Sequence, residues 1–277
     1  MTTVAITGAS SGIGLRAARR LAEEGHHVLA LCRNVERSRA ALGDQVEIVE
    51  THMEDLDSVR GAAERAKQAG VEVLINNAAI FDMGLKRRTL SPQGHELVWA
   101  TNHLGPSALA AELIDTLAAA PDGRVVFIAS KGLVAMPRIR IRWDRLDGEG
   151  WYTPTRAYYH AKLAQVMTAE TLHERHGDAV TVSCLRVPAV RLDPAKLAAQ
   201  PRLQRALYAP KNRAAAAPAQ VADAYVRLAV GPEPDAVYVD ERGAACPVPR
   251  FARDRANRER LAAATRAAIA PETGAVG

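Results

Sequence analysis

Short apolar runs bounded by turn residues recur along this chain: Val4 to Thr7, Val28 to Cys32, Val46 to Glu50, Val71 to Asn76, Val125 to Ser130 and Val180 to Arg186. Longer stretches with helical periodicity separate them. Strands that alternate with helices pair in parallel through right-handed crossovers, and the helices then cover both faces of the sheet. Each run is therefore apolar throughout rather than at every second position. The pattern predicts an α/β chain with a Rossmann-type, doubly wound parallel sheet. At 277 residues the chain is longer than the usual domain, yet α/β folds of this size commonly form around one sheet, so a single domain over residues 1–277 is expected. Hydrophobic residues make up 48% of the chain but aromatic ones only 4%, so the core must rest on Ala, Val, Leu and Ile.

Two stretches break the rhythm. Residues 136–154 carry Pro and Gly punctuation and read as an insertion. The Ile139-Arg140-Ile141-Arg142-Trp143 alternation inside it is read as a short strand with one buried face, in preference to an anion-binding row of Arg138, Arg140 and Arg142. Residues 188–218 are again irregular, with two Pro-bounded helical pieces, and loops of that length usually cover a site. Both are expected on the substrate side.

The formal charge of +5 raises the question of a nucleic-acid partner. The basic residues, however, are interleaved with acidic ones, as from Arg60 to Arg65, which reads as a solvated helix face. No nucleic-acid partner is expected. Cys32, Cys184 and Cys246 form no CxxC pair, and no His cluster accompanies them, so they are read as free, buried thiols and no metal site is predicted. The chain opens on a strand without a basic, apolar leader or a membrane span, so a cytoplasmic location is expected.

The strongest local signal is Thr7-Gly8-Ala9-Ser10-Ser11-Gly12-Ile13-Gly14, directly after the first strand and before the helix Leu15 to Glu24. Glycines at 8, 12 and 14 permit a tight turn, close approach of backbone to a pyrophosphate, and close packing of helix on sheet. The helix N-terminus adds free N–H groups and a positive dipole end. This predicts a dinucleotide site. A site for NAD(H) normally ends the second strand with Asp or Glu, but this sequence reads Leu31-Cys32-Arg33-Asn34. A guanidinium there pairs with a 2′-phosphate, so the cofactor is read as NADP(H).

Further motifs follow in order: Asn76-Asn77-Ala78-Ala79 after a strand, Asn102 in Thr101-Asn102-His103, Ser130 closing a strand, and Tyr158-Tyr159-His160-Ala161-Lys162. Together with the Gly-rich turn they resemble the short-chain dehydrogenase/reductase family from about Val4 to Val190. The segment around Trp143, Tyr152 and Pro154, and the tail from Pro247 to Arg260, resemble its retinol-dehydrogenase-like branch. The resemblance implies a catalytic set of Asn102, Ser130, Tyr158 and Lys162. Tyr158 would exchange the proton, Ser130 would hydrogen-bond the substrate oxygen, Lys162 would bind the nicotinamide ribose, and Asn102 would hold a water linking Lys162 to solvent. It also implies that Asp55 accepts a hydrogen bond from adenine, that Asn77 and Ala78 pass near the adenosine ribose, and that the Val190 backbone meets the carboxamide. Pro188-Ala189 departs from the family's usual Pro-Gly, and Ala stands where Gly is usual in Asn76 to Ala79. Helices of this family often pair, so a homodimer or homotetramer is anticipated unless the insertion blocks it.

A tyrosine in water has a pKa of roughly 10, so exchange near neutrality asks for a shift of about three units, on the order of 4 kcal/mol. Lys162, one turn on and on the same helix face, is expected to supply it by stabilising the phenolate. Tyr159 lies about 100° round the helix and does not share that face. The expected activity is NADPH-dependent reduction of a ketone or aldehyde on a small to medium organic molecule. The alternatives are a non-redox epimerase or cyclase using bound nucleotide, and an NADP-sensing regulatory protein.

Overall fold

The computed structural model describes residues 1–191 and 215–271. Seven strands form one all-parallel sheet: β1 (Thr3–Thr7), β2 (His27–Cys32), β3 (Glu47–Glu50), β4 (Val73–Asn76), β5 (Arg124–Ser130), β6 (Thr181–Val187) and β7 (Tyr238–Asp240), in the order β3-β2-β1-β4-β5-β6-β7. Six of them fall on the six predicted runs. β7 was not anticipated, because three residues are too few to show a period. Order reverses between β1 and β4, and a doubly wound sheet opens its binding crevice at such a reversal.

Alternate residues of each strand enter different cores. Val4, Ile6, Val126 and Ile128 pack with helices α1 (Gly12–Glu23) and α7 (Pro218–Val230) on one face. Ala5, Leu74, Val125 and Phe127 pack with α3 (Leu56–Gln68), α5 (Gly105–Ala119) and α6 (Pro154–His176) on the other. The central stretches of β1, β2, β4 and β5 are apolar on both faces because helices cover both, whereas the edge strand β3 carries Glu47 and Glu50 and is only partly buried. Between β2 and β3 runs α2 (Val35–Leu42). A short turn α4 (Leu97–Trp99) passes through a π-helical turn, Ala100–Leu104, into α5.

Helix α6 is capped by Thr153, whose Oγ1 accepts from the Arg156 N–H at 3.2 Å, with Pro154 in the first turn. Its middle is Ala-rich and apolar on several faces, because the sheet lies on one side and a C-terminal helix on the other. That helix, α9 (Arg255–Ile269), follows the short α8 (Arg250–Arg253). It is pinned by Arg258, which donates to Ala252 O and pairs with Glu174 on α6, and by Thr265, hydrogen-bonded to His103 at 2.9 Å.

The insertion before α6 is not a strand. Ile141 is buried and Ile139 and Trp143 are half-buried, while Arg138, Arg140 and Arg142 are exposed, so the predicted burial alternation holds. No strand among the described residues lies alongside it, and successive turns such as Ile139 N–H to Met136 O hold its backbone instead. Side chains fix it to the body: Arg88 to Asp147 at 2.7 Å and Tyr152 Oη to Leu85 O at 2.9 Å. Cys32 and Cys184 are free and buried, whereas Cys246 is only half-buried, short of the predicted burial. The predicted helical pieces of residues 188–218 lie largely outside the described residues. Among those described, no helix is long and apolar enough to cross a membrane.

Candidate active site

The Gly-rich turn leaves β1 at the crevice. Gly8 and Gly12 adopt φ +68° and +65°, where a side chain is strained. A Cβ on Gly14 would lie 2.4 Å from Asn77 Nδ2, so glycine there lets α1 approach the β4 loop. Asn77 ties the two loops together: its Nδ2 donates to Thr7 O at 2.7 Å and Gly8 O at 3.2 Å. The Ala78 N–H donates to Thr7 Oγ1 at 2.8 Å.

Beside this turn is a cleft of about 390 Å³ lined by Gly8, Ser10, Ser11, Arg33, Arg37 and Ala78, among others. It fits a dinucleotide phosphate chain on three observations. The N-terminus of α1 has no side-chain cap and no acidic residue in its first turn. A Cβ on Gly12 would meet nothing within 4 Å. Arg33 and Arg37 make no ion pair among the described residues, so two cations face an anion-sized space. Arg37 was missed by sequence reasoning, although its place in the first turn of α2 was a signal. Asn34 lines the cleft and caps α2, accepting from the Arg37 N–H at 2.8 Å. Ile13 does not line it; its side chain packs on the core.

Two expected cofactor residues stand apart. Asp55 is the N-cap of α3, and its Oδ1 accepts from Gln93 Nε2 at 2.9 Å and Asp57 N–H at 3.0 Å, which holds its carboxyl below the usual range. Its neighbours Met53 and Glu54, not Asp55, line the cleft. Val190 lies just beyond β6 in a bridge to Ala216, at the edge of the described residues.

Ser130 is the last residue of β5, and its Oγ accepts from the Gly132 N–H at 3.1 Å at the start of a 3-10 turn, Lys131–Ala135. Tyr158 stands near it on the first turns of α6. Burial pushes the Tyr158 phenol up to about 12, Tyr159 adds to the rise, and the Ser130 hydroxyl opposes it. Phe81 stacks on Tyr158 with ring centroids 4.4 Å apart. Tyr159 points elsewhere, against Gly132, where even a Cβ would strike its hydroxyl.

Lys162 is 1% exposed, and burial lowers its pKa to about 8. Its Nζ donates to Ile128 O at 2.5 Å and Gln165 Oε1 at 2.9 Å and lies 5.7 Å from the centre of the Tyr158 ring. The expected lowering of the Tyr158 pKa by Lys162 is therefore not found. Burial dominates, and the ammonium is committed to two other acceptors beneath the ring. Asn102 is fully buried in the π turn, and its side-chain amide pins the loop after β4: its Oδ1 accepts from Ile80 N–H at 2.7 Å and its Nδ2 donates to Ile80 O at 2.9 Å. His160, on the same helix, accepts the Arg142 N–H on Nε2 at 3.1 Å, and burial lowers it to about 3.

A family profile described as short chain dehydrogenase matches residues 2–140, ending before Tyr158. The chain belongs to the short-chain dehydrogenase/reductase family, oxidoreductases that use nicotinamide cofactors. Within it the chain falls in the retinol-dehydrogenase-like branch. It is 33% identical to mouse (Mus musculus) retinol dehydrogenase 12 over 189 residues, covering 64% of this chain and 58% of that protein. It is 34% identical to human (Homo sapiens) dehydrogenase/reductase SDR family member 13 over 194 residues, covering 66% and 49%. The matched region thus spans only about half to three fifths of these relatives. Among solved structures, an uncharacterized protein of Mycobacterium paratuberculosis superposes with a TM-score of 0.72 at 28% identity, covering 97% of this chain and 93% of that one. A structure described as an NAD(P)-dependent gluconate 5-dehydrogenase from Beutenbergia cavernae, with NADP bound at low occupancy, gives 0.62 at 26% identity, covering 83% and 90%.

Proposed function

We propose that this chain is an NADPH-dependent oxidoreductase that reduces the ketone or aldehyde carbonyl of a small to medium, fairly apolar organic substrate to an alcohol. The observation that carries the reading is the meeting of Ser130 and Tyr158 at the C-terminal edge of β5, with Lys162 buried one turn along α6. Ser130 donates a hydrogen bond to the carbonyl oxygen, and Tyr158 protonates the oxygen as negative charge develops on it. The Tyr158 phenol is in its acid form at neutral pH, so it holds the proton that the developing alkoxide needs. NADPH, when bound, supplies the hydride. Arg33 and Arg37 support the choice of NADPH over NADH, because both are free to pair with a 2′-phosphate.

An apolar substrate is favoured by Phe81, Met83 and Val134, which are 53%, 58% and 64% exposed. Phe81 stacks on Tyr158, Met83 meets Thr155 Oγ1 at 3.6 Å at the start of α6, and Val134 lies just after Ser130. The test is steady-state oxidation of NADPH and NADH over a panel of aldehydes and ketones, with the wild type and Arg33→Ala/Arg37→Ala. NADPH is expected to be preferred by about 50-fold in kcat/KM, from two charge-assisted contacts, and the double variant should lose most of that preference. Equal use of NADH by the wild type contradicts the cofactor assignment, and NADPH binding without turnover of any carbonyl contradicts the reductase assignment.

A further inference from the structure

The arginine row of the insertion has no part in the chemistry above, yet it borders a second cleft of about 730 Å³, within the usual range for small-molecule sites. Arg138, Arg140 and Arg142 line it from the insertion and Arg156 from α6, with Trp151 and His160 as an aromatic wall. Met136, Pro137 and Ile139 complete it with apolar surface. None of Ser130, Tyr158 and Lys162 contributes, and His160 lies about 200° round α6 from Tyr158.

Several arginines of the chain are matched with acids, as in Arg65 with Glu47, Arg88 with Asp147 and Arg258 with Glu174, and others, such as Arg33 and Arg37, are not. The four guanidiniums of this cleft have no ion pair or side-chain hydrogen bond among the described residues, and no carboxylate lines it. Arg142 instead lies over the Trp151 ring at 5.9 Å. A neighbouring cleft shares Arg138 and Arg140 and adds Arg250, but it also contains a carboxylate, Asp254, which the Trp151 side lacks. Because His160 Nε2 accepts the Arg142 N–H, the neutral ring carries its proton on Nδ1.

We infer that this cleft is a second ligand site, separate from the catalytic one, for a small amphipathic organic anion: a carboxylate or phosphate monoester head held by the guanidiniums, and an apolar body lying against Trp151, Met136 and Ile139. Like-charged guanidiniums gathered in a concave surface repel one another, and an anionic head relieves that repulsion. The planar forks of arginine suit a carboxylate or phosphate. The apolar wall distinguishes this ligand from inorganic phosphate.

The test is isothermal titration of the full chain with octyl phosphate, beside octanol, inorganic phosphate and phosphatidylglycerol vesicles. No turnover is read, so the result is independent of the reductase assignment. Octyl phosphate should bind at least about tenfold more tightly than octanol or inorganic phosphate, and should weaken as NaCl is raised. Arg140→Gln/Arg156→Gln, two exposed side chains from different elements, should weaken it a further tenfold or more while leaving NADPH binding unchanged. Absence of octyl phosphate binding, equal binding of octanol, affinity indifferent to both salt and the double variant, or binding to vesicles alone would overturn the inference.

Discussion

The Tyr225 hydroxyl donates to Asn77 Oδ1 at 3.0 Å, joining α7 to the loop after β4 across 148 residues of sequence. Since Asn77 Nδ2 in turn holds Thr7 O and Gly8 O, the fully buried Tyr225 positions the Gly-rich turn without lining the cleft. Tyr225→Phe leaves a buried acceptor unpaired, at a cost of about 1–3 kcal/mol. The expected outcome is a KM for NADPH raised about five- to tenfold, with kcat nearly unchanged. A fall in kcat at constant KM contradicts the positioning role.

Gly14 gives a second handle on the same contact. Gly14→Ala places a methyl 2.4 Å from Asn77 Nδ2 and 2.9 Å from Gly8 O, so the β4 loop must move. Overpacking of this kind costs about 1–3 kcal/mol. Urea denaturation should show that loss together with weaker NADPH binding, whereas Gly43→Ala, at a turn with open space around it, should lose stability through its φ of +71° while binding NADPH normally.

How much of this was legible in the sequence depends on how local the signal is. The central strands were readable because they are buried on both faces, and Gly8, Gly12 and Gly14 because a turn and a close approach demand them. Ile139, Ile141 and Trp143 announced their buried side, but whether that becomes a strand depends on a neighbouring edge that no local pattern records. The engagement of Lys162 by Ile128 O was hidden, since a backbone carbonyl on another element leaves no trace in residue type. The same holds for Asn102 and Ile80, and for Tyr225 and Asn77. Asp55 looked like an adenine ligand by resemblance, yet as the residue opening α3 it had a competing use as a cap.

Lys162 should leave a signature in stability. Its folded pKa of about 8 lies below the ordinary lysine value of 10.5, so the unfolded chain binds more protons between those values. Stability therefore rises with pH across that window, and the penalty for holding the buried ammonium is full only below it. In urea titrations the wild type should gain about 3 kcal/mol relative to Lys162→Met between pH 8 and 10.5. A flat difference would show that Lys162 titrates normally.

His103 and His160 act at the other end of the scale. Both are buried and held neutral, with pKa lowered to about 3, largely by burial. The unfolded chain protonates near 6.5, so the stability they carry is complete above that pH and is lost as pH falls toward 3. His160→Gln keeps an acceptor for the Arg142 N–H and removes the titration. Its stability, followed by circular dichroism, should decline less on acidification, by up to about 5 kcal/mol. Identical acid profiles for variant and wild type would contradict this.

The central claim is that the Tyr158 hydroxyl donates the proton in carbonyl reduction. It is tested most directly by NADPH oxidation under single-turnover conditions with a carbonyl that the wild type reduces, comparing wild type with Tyr158→Phe and measuring NADPH affinity for both. The account predicts that the variant binds NADPH within about twofold of the wild type and reduces the carbonyl at least about a hundredfold more slowly, the range of a positioned general acid. A variant that retains wild-type turnover with intact NADPH binding would contradict it.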